Sequence, residues 1–192
     1  MSGAIGHTDV VLSRMRHIVT GAAVGALAWT ATEYSTHRWV LHGPFSNGTL
    51  SRIPIGSLHR THHAKPEHTV PLARVAANLG VFSAAAIAAS AASAAVPAAA
   101  AWAGCLSFGA GYSTYDIVHH RLHHRPPTNA LGLRMRQRHF RHHFGTPKRN
   151  LGVTHGFWDR LANTEAAHGP VRVPSKLAPS WLDQLGPDFV AA

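Results

Sequence analysis

The sequence predicts an all-α integral membrane protein, a helical bundle with about three to four membrane passes and a cytoplasmic cap of histidine-rich helices. Two observations lead to this fold class. Residues 75–115 contain no charged side chain in 41 positions, and 17 of the 192 residues are histidines, most of them in four spaced clusters. A water-soluble helix exposes a charged or polar face, so an uncharged stretch of this length indicates helices in lipid.

The first helix is predicted over residues 17–42. Its first half, from Ile18 to Thr32, is apolar, and its second half carries His37 and His42. At about 1.5 Å per residue such a helix is about 39 Å long, enough to cross a hydrocarbon core of about 30 Å and to project beyond it. The apolar run leads directly into the first histidines without a cleavage site, so we interpret it as a membrane helix and not as a signal peptide.

The central part of the chain is predicted to form a loop, a short helix and a helical hairpin. Residues 43–58 contain several glycines and prolines and are predicted as a loop. The short helix carries the second histidine cluster and ends before Pro66. The uncharged stretch has Val96-Pro97 near its middle. Two passes of about twenty residues fill it, so residues 75–115 are the predicted hairpin.

Two segments follow from this division of the chain. Residues 1–163 are predicted to form the membrane domain with its histidine clusters. Residues 164–192 are predicted to be a polar, irregular tail, because four prolines interrupt it and leave room for one short helix near Trp181.

The formal charge of +10 suggests contact with nucleic acid, an anionic membrane surface or a one-sided membrane topology. Residues 116–149 hold eight Lys and Arg residues but one acid. If the chain crosses the membrane three times, these basic residues lie on one side, which the positive-inside rule makes cytoplasmic. All four histidine clusters then lie on the same side. Nucleic-acid binding does not explain the uncharged hairpin, so we predict no nucleic-acid partner.

The histidine clusters have the spacing of metal ligands on helices, where residues three or four apart share one face. Residues five apart lie about 140° from each other on an ideal helix. The first pair therefore either flanks the site or needs a local distortion. In chain order the clusters are HX4H, HX2HH, HX3H and HX2HH: His37 and His42; His59, His62 and His63; His119 and His123; His139, His142 and His143.

These ten imidazoles favour a dinuclear metal centre, because a single zinc ion usually takes four ligands. His120 and His124 point away from the shared face of the third cluster and are predicted not to be ligands. Glu33 and Asp116 precede ligands by about one helical turn. Each is predicted either to accept a ring N–H from a ligand histidine or to be an ordinary carboxylate on a helix surface.

The order of the clusters, with an uncharged hairpin between the second and the third, resembles the fatty acid hydroxylase and sterol desaturase superfamily of integral-membrane di-iron oxygenases. The resemblance covers about residues 30–163 and is strongest to the fatty acid 2-hydroxylases. Carotenoid hydroxylases share the His42-Gly43 pair, but their third cluster usually has His-Asp, which this chain lacks. The flanking residues that carry the resemblance are Glu33-Tyr34, His37-Arg38, Tyr115-Asp116, Gly152-Val153-Thr154 and Phe157-Trp158-Asp159.

The resemblance implies a hydroxylase-like domain that hydroxylates a lipid acyl chain with O2. It also implies an active site on the cytoplasmic face of the membrane (the inner membrane in a bacterium) and electrons from a separate ferredoxin- or cytochrome-type protein. Zinc is expected to fit the same imidazoles in a structure. The residues expected to bind two iron ions, and to be catalytic through them, are His37, His42, His59, His62, His63, His119, His123, His139, His142 and His143.

Two alternatives remain open from the sequence. One is a carotenoid or sterol hydroxylase, or a desaturase, of the same superfamily. The other is a membrane protein that binds metal without catalysis, for storage or transport. Such a protein would bind metal but consume no O2 with reductant and lipid present.

Overall fold

The computed structural model describes residues 2–43, 54–66, 72–92 and 96–192. Over these residues the fold is predominantly helical, as predicted, and it adds a small sheet that the sequence did not indicate. The helices are α1 (Ser2–Ser35), a π-helix (Thr36–Leu41), α2 (Pro54–Ala64), α3 (Leu72–Ala92), α4 (Ala98–His124), α5 (Ala130–Phe144) and α6 (Phe157–Leu161). The strands are β1 (Val171–Val173) and β2 (Phe189–Ala191), with a 3-10 helix (Leu182–Leu185) between them.

Two helix boundaries differ from the prediction. Helix α1 begins at Ser2, well before residue 17, and α2 begins at Pro54, inside the segment predicted as a loop. Proline suits the first turn of a helix because the N–H that it lacks has no partner there. The predicted end of α2 before Pro66 is confirmed. Residues 44–53 of the predicted loop lie outside the described part of the chain.

The chain divides into two compact units, and the first consists of residues 1–30 and 71–114. It contains most of α1, all of α3 and the first part of α4, so the two helices predicted for the uncharged stretch are present. Gly21 packs on the backbone of Ala100, and Gly25 packs on that of Gly104, so closely that a Cβ at either glycine would collide with a carbonyl oxygen. Small residues of this kind allow helices to approach closely in lipid.

One helix in the described part of the chain, Gly6–Leu41, is long and apolar enough to span a membrane. This helix includes the predicted first pass. The total of about three to four passes stays a prediction.

The second unit consists of residues 31–70 and 115–192 and contains all four histidine clusters. Its apolar core lies between α5 and the C-terminal segment, so residues 164–192 are more regular than the predicted irregular tail. Strands β1 and β2 pair in parallel, and a 3-10 helix is present at the predicted short helix. The buried core residues are Phe140, Val171, Val173, Trp181, Leu182, Leu185 and Phe189.

Helices α4 and α5 are joined through the buried side chain of Arg136. Its guanidinium donates to the carbonyl oxygens of Arg121 and Arg125, at 2.9 and 2.7 Å. The Arg125 carbonyl follows the last residue of α4, where a helix has no internal donors for its final carbonyl groups, and the Arg121 carbonyl also accepts from the backbone N–H of Arg125, at 3.1 Å. Arg136 therefore fixes the end of α4 beside α5, and both helices carry histidine clusters.

Candidate metal centre

The first histidine pair lies on the π-helix. The backbone N–H of His42 donates to the carbonyl oxygen of His37, at 3.1 Å. This bond joins residues five apart and brings the two ring centroids to 5.0 Å. A local distortion was one of the two possibilities for the HX4H spacing, and the structure has it. A π-helical turn in a helix often marks a functional site.

The second cluster, on α2, divides between two groups of histidines. His59 and His63 are four residues apart and lie in the first group with the π-helical pair, while His62 lies in the second group. The His59 and His42 Nε2 atoms are 2.7 Å apart. The short helix α2 thus contributes to both groups, because its HX2HH spacing spreads three rings over one broad face.

The histidines of α5 also belong to both groups, whereas those of α4 belong to the second group only. The Nε2 atoms of His123 on α4 and His139 on α5 are 2.7 Å apart. His142 joins the first group, where its Nε2 lies 3.3 Å from that of His63. The neighbouring His143 belongs to the second group. The His63 and His143 rings stack at 4.1 Å between centroids, so the two groups are adjacent.

All ten predicted site residues therefore lie in two groups of five, and the potential ligand atoms within each group lie within 4.8 Å of one another. The first group is His37, His42, His59, His63 and His142, and the second group is His62, His119, His123, His139 and His143.

Burial keeps these imidazoles neutral. It lowers the pKa of His42 to about 4, with a further contribution from the positive charge of Lys148. It also lowers the pKa of His63 to about 3, with neighbouring histidines adding to the effect. Burial lowers the pKa of His142 and His143 as well. Neutral imidazole is the form that binds a metal ion.

The unsatisfied ring nitrogens show that both groups fit metal ions. The Nε2 atoms of His37, His119 and His143 are buried and have no hydrogen-bond partner in the described part of the chain. A buried polar atom without a partner costs free energy, and coordination to a cation would remove that cost. Groups of this composition, with nitrogen donors only, suit iron, zinc and other transition metals.

A loop of residues 149–154 supports the first group. The Nδ1–H groups of His37 and His142 donate to the carbonyl oxygens of Leu151 and Arg149, at 2.6 and 2.9 Å. Glu33 was predicted either to accept from a ligand ring or to lie on the surface. It instead lies buried and accepts from the backbone of this loop.

Asp159, in the Phe-Trp-Asp segment, also accepts from this loop, and the sequence reasoning gave it no role. One signal was available, because Asp159 is one of only eight acids in the chain and stands in a segment that resembles the family pattern.

The remaining described histidines are not members of either group. Among them, His120 and His124 stack on each other at 4.3 Å between ring centroids. His7 and His168 are exposed, and His17 is partly buried. His68 lies outside the described residues.

Fold and site define this chain as a helical protein with a pair of all-histidine groups able to hold metal ions. A comparison with known families then identifies the family. The chain belongs to the fatty acid hydroxylase family, whose model matches residues 22–164. The resemblance drawn from the histidine clusters and their flanking residues is thereby confirmed.

Curated relatives are similar over most of the chain. A dihydroceramide fatty acyl 2-hydroxylase, FAH2, of Arabidopsis thaliana is 28% identical over 142 residues, which are 74% of this chain and 59% of the relative. The fatty acid 2-hydroxylase of Rattus norvegicus is 31% identical over 152 residues, which are 73% of this chain and 38% of the relative. The chain therefore spans less than two thirds of the length of these relatives.

A solved structure is similar in fold. It is described as full-length scs7p with only its hydroxylase domain visible, and it matches with a TM-score of 0.61 at 23% identity. The match covers 87% of this chain and 67% of that chain.

Proposed function

We propose that this protein is a membrane-bound di-iron oxygenase that hydroxylates the acyl chain of a lipid. The observation that carries the proposal is the convergence of ten imidazoles in two groups of five, in a member of the fatty acid hydroxylase family. The relatives named above are a dihydroceramide fatty acyl 2-hydroxylase and a fatty acid 2-hydroxylase. Their names favour an acyl chain over a carotenoid or a sterol as the substrate.

Each group of histidines would hold one iron ion. The first would be bound by His37, His42, His59, His63 and His142, and the second by His62, His119, His123, His139 and His143. Iron held there supplies the activation of O2 that an inert C–H bond requires. The protein keeps the rings neutral by burial and fixes their positions through α2, α4, α5 and the π-helix.

The proposed reaction needs electrons from outside the metal centre. One oxygen atom of O2 enters the C–H bond and the other is reduced to water, a step that consumes two electrons and two protons per turnover. We infer that a separate ferredoxin- or cytochrome-type protein supplies these electrons. Exposed cations on the second unit, Arg121, Arg125, Arg134 and Lys148, suit an acidic carrier, because complementary charge steers such encounters.

We further infer that the metal centre lies on the cytoplasmic side of the membrane. The candidate membrane span, Gly6–Leu41, covers most of α1 and the π-helix. Most of the Lys and Arg residues follow it in the chain, and such residues are enriched on the cytoplasmic side of membrane proteins.

The experiment that tests the function uses protein purified in detergent from membranes of cells supplied with iron. Metal analysis should find about two ions per chain. With a reductase and electron carrier, isotopically labelled O2 and mixed fatty acyl lipids, mass spectrometry should find acyl chains carrying one labelled oxygen. A matched His63→Ala variant should lack the product. Two bound metals with no oxygenated lipid and no O2 consumption would instead indicate a non-catalytic metal-binding protein.

A further inference from the structure

The two groups of histidines differ in how their rings are held. In the first group, His37 and His142 each donate Nδ1–H to a backbone carbonyl oxygen. In the second group, the Nδ1 atoms of His139 and His143 are buried and have no hydrogen-bond partner among the described residues. A ligand histidine usually donates its other ring N–H to a fixed acceptor, which sets its tautomer and its orientation. In the first group, the carbonyl oxygens of Leu151 and Arg149 are two such acceptors.

Both acceptor carbonyls belong to the 149–154 loop, and two carboxylates hold the backbone of that loop. Glu33 accepts from the N–H groups of Val153 and Thr154, at 2.7 and 3.0 Å, and from the Thr154 hydroxyl at 2.6 Å. Asp159 accepts from the N–H groups of Leu151 and Gly152, both at 2.8 Å. Four successive peptide N–H groups are therefore bonded to carboxylate oxygens.

The Asp159 carboxylate is itself held in place. It is fully buried, lies 2.9 Å from the guanidinium of Arg138 and accepts from the Thr164 hydroxyl at 2.8 Å. A carboxylate offers acceptors on both oxygens, whereas the corresponding amide has one oxygen and a donating NH2 group. Asp159→Asn would therefore point its NH2 group at a peptide N–H in either orientation of the amide, at nearly the same volume. Glu33→Gln can keep its oxygen on the two peptide N–H groups and donate to the Thr154 hydroxyl, so it removes the negative charge and is the milder change.

We propose that Glu33 and Asp159 are positioning residues for one of the two metal sites. They hold the 149–154 loop so that its carbonyls orient His37 and His142, and they thereby set the metal affinity of the first group while the second group is unaffected. This inference rests on the proposed function to the extent that both groups bind metal. It does not depend on which lipid is hydroxylated, or on turnover at all.

The test compares metal binding by full-length wild-type protein and by Glu33→Gln and Asp159→Asn variants, all in detergent. Metal is removed with a chelator, and Co²⁺ is titrated back while its absorption spectrum is followed. We expect two ions to bind wild-type protein tightly. In each variant we expect one ion to bind as in wild type and the other more weakly, by about 10- to 100-fold in Asp159→Asn and by a smaller factor in Glu33→Gln.

The matched control is Asp188→Asn. Asp188 makes an ion pair with Arg141, so the control repeats the chemical change at another ion pair of the same unit, away from the loop. It should bind both ions as in wild type. If Glu33→Gln or Asp159→Asn does not fold, Thr154→Val removes only the hydroxyl bond to Glu33 and should weaken the same single site to a smaller extent.

Double variants identify the site that is affected. Adding His143→Ala to Glu33→Gln should weaken both sites, whereas adding His142→Ala should leave the tight ion in place. Wild-type affinity for both ions in the carboxylate variants, or equal weakening of both, would overturn the inference. Two ions in wild type without lipid hydroxylation would overturn the proposed function and leave this inference standing.

Discussion

The backbone N–H of His42 bonds to the carbonyl oxygen of His37, five residues earlier, at 3.1 Å. In an α-helix that N–H would bond four residues back, and the two rings would point in different directions. The π-helical turn is therefore what places both imidazoles in the first group.

Deletion of Val40 should restore an ordinary helical register between the two histidines while keeping every ligand. The reason is that the chain then has four residues where the π-helix has five, so the bond from His42 to His37 becomes α-helical. Residues four apart share one face of an α-helix, as His119 and His123 do, so we expect the first group still to bind its ion with an affinity within about tenfold of wild type, measured by Co²⁺ titration. Val40→Ala is the control and should bind as wild type. Loss of the ion after the deletion would show that the first pair needs the π-helical turn itself and not only a shared helix face.

His142 and His143 are adjacent in sequence but belong to different groups. We expect His142→Ala to weaken the ion of the first group and His143→Ala to weaken that of the second, so each variant should retain about one ion per chain. The double variant should retain none. Elemental analysis of purified protein measures this, with His124→Ala, a histidine outside both groups, as the control. Loss of both ions in each single variant would contradict separate sites.

The stability of metal-free protein should decrease with acidification. Burial lowers the pKa of His42 to about 4 and that of His63 to about 3, whereas an exposed imidazole has a pKa of about 6.5. Below about pH 6.5 the unfolded chain takes up protons that the folded chain does not, so the free energy of unfolding decreases as the pH falls toward about 4.

The size of this effect is at most about 1.4 kcal/mol per pH unit for each such histidine. Thermal unfolding in detergent with a chelator, at about pH 7 and about pH 5, measures it. The midpoint should be lower at the acid pH, and a His42→Ala, His63→Ala double variant should show a smaller decrease. An equal decrease in that variant would assign the effect to other groups.

Arg136 should contribute to stability because its guanidinium donates hydrogen bonds to backbone carbonyl oxygens at the end of α4. Arg136→Ala leaves the carbonyl of Arg125 without this donor, which costs about 1 to 3 kcal/mol if that carbonyl stays buried, while the carbonyl of Arg121 keeps its bond from the backbone N–H of Arg125. Thermal unfolding should therefore occur at a lower temperature. Arg134→Ala, two residues earlier on α5 and exposed, is the matched control and should unfold as wild type. Equal midpoints for the two variants would show that the capping role is wrong.

The sequence was sufficient to predict a mainly helical fold and which histidines lie close together, because helix spacing and hydropathy are local properties. The uncharged stretch contains two helices, and all ten predicted histidines lie in the two groups. The sequence was not sufficient to predict how these ten histidines divide between the two groups. His59, His62 and His63 share one helical arc, and only the positions of α4, α5 and the π-helix determine that His62 belongs to the second group.

The support of the first group was not predictable either, because its contacts are not local. Glu33 accepts from Val153, 120 positions later, and no spacing rule links the two. The C-terminal sheet was missed for a related reason. Its strands have three residues each, too few to show a period of two, and Val171 and Phe189 become apolar neighbours only through their pairing.

Helix α2 has only eleven residues and supplies rings to both groups. If both groups hold iron as proposed, each ion ties α2 to a different set of elements, the π-helical pair with α5 in one case and α4 with α5 in the other. A cell short of iron would therefore make protein in which this helix has lost both attachments. Proteases recognise such loosened segments, so the abundance of the protein would follow the iron supply of the cell without any change in transcription.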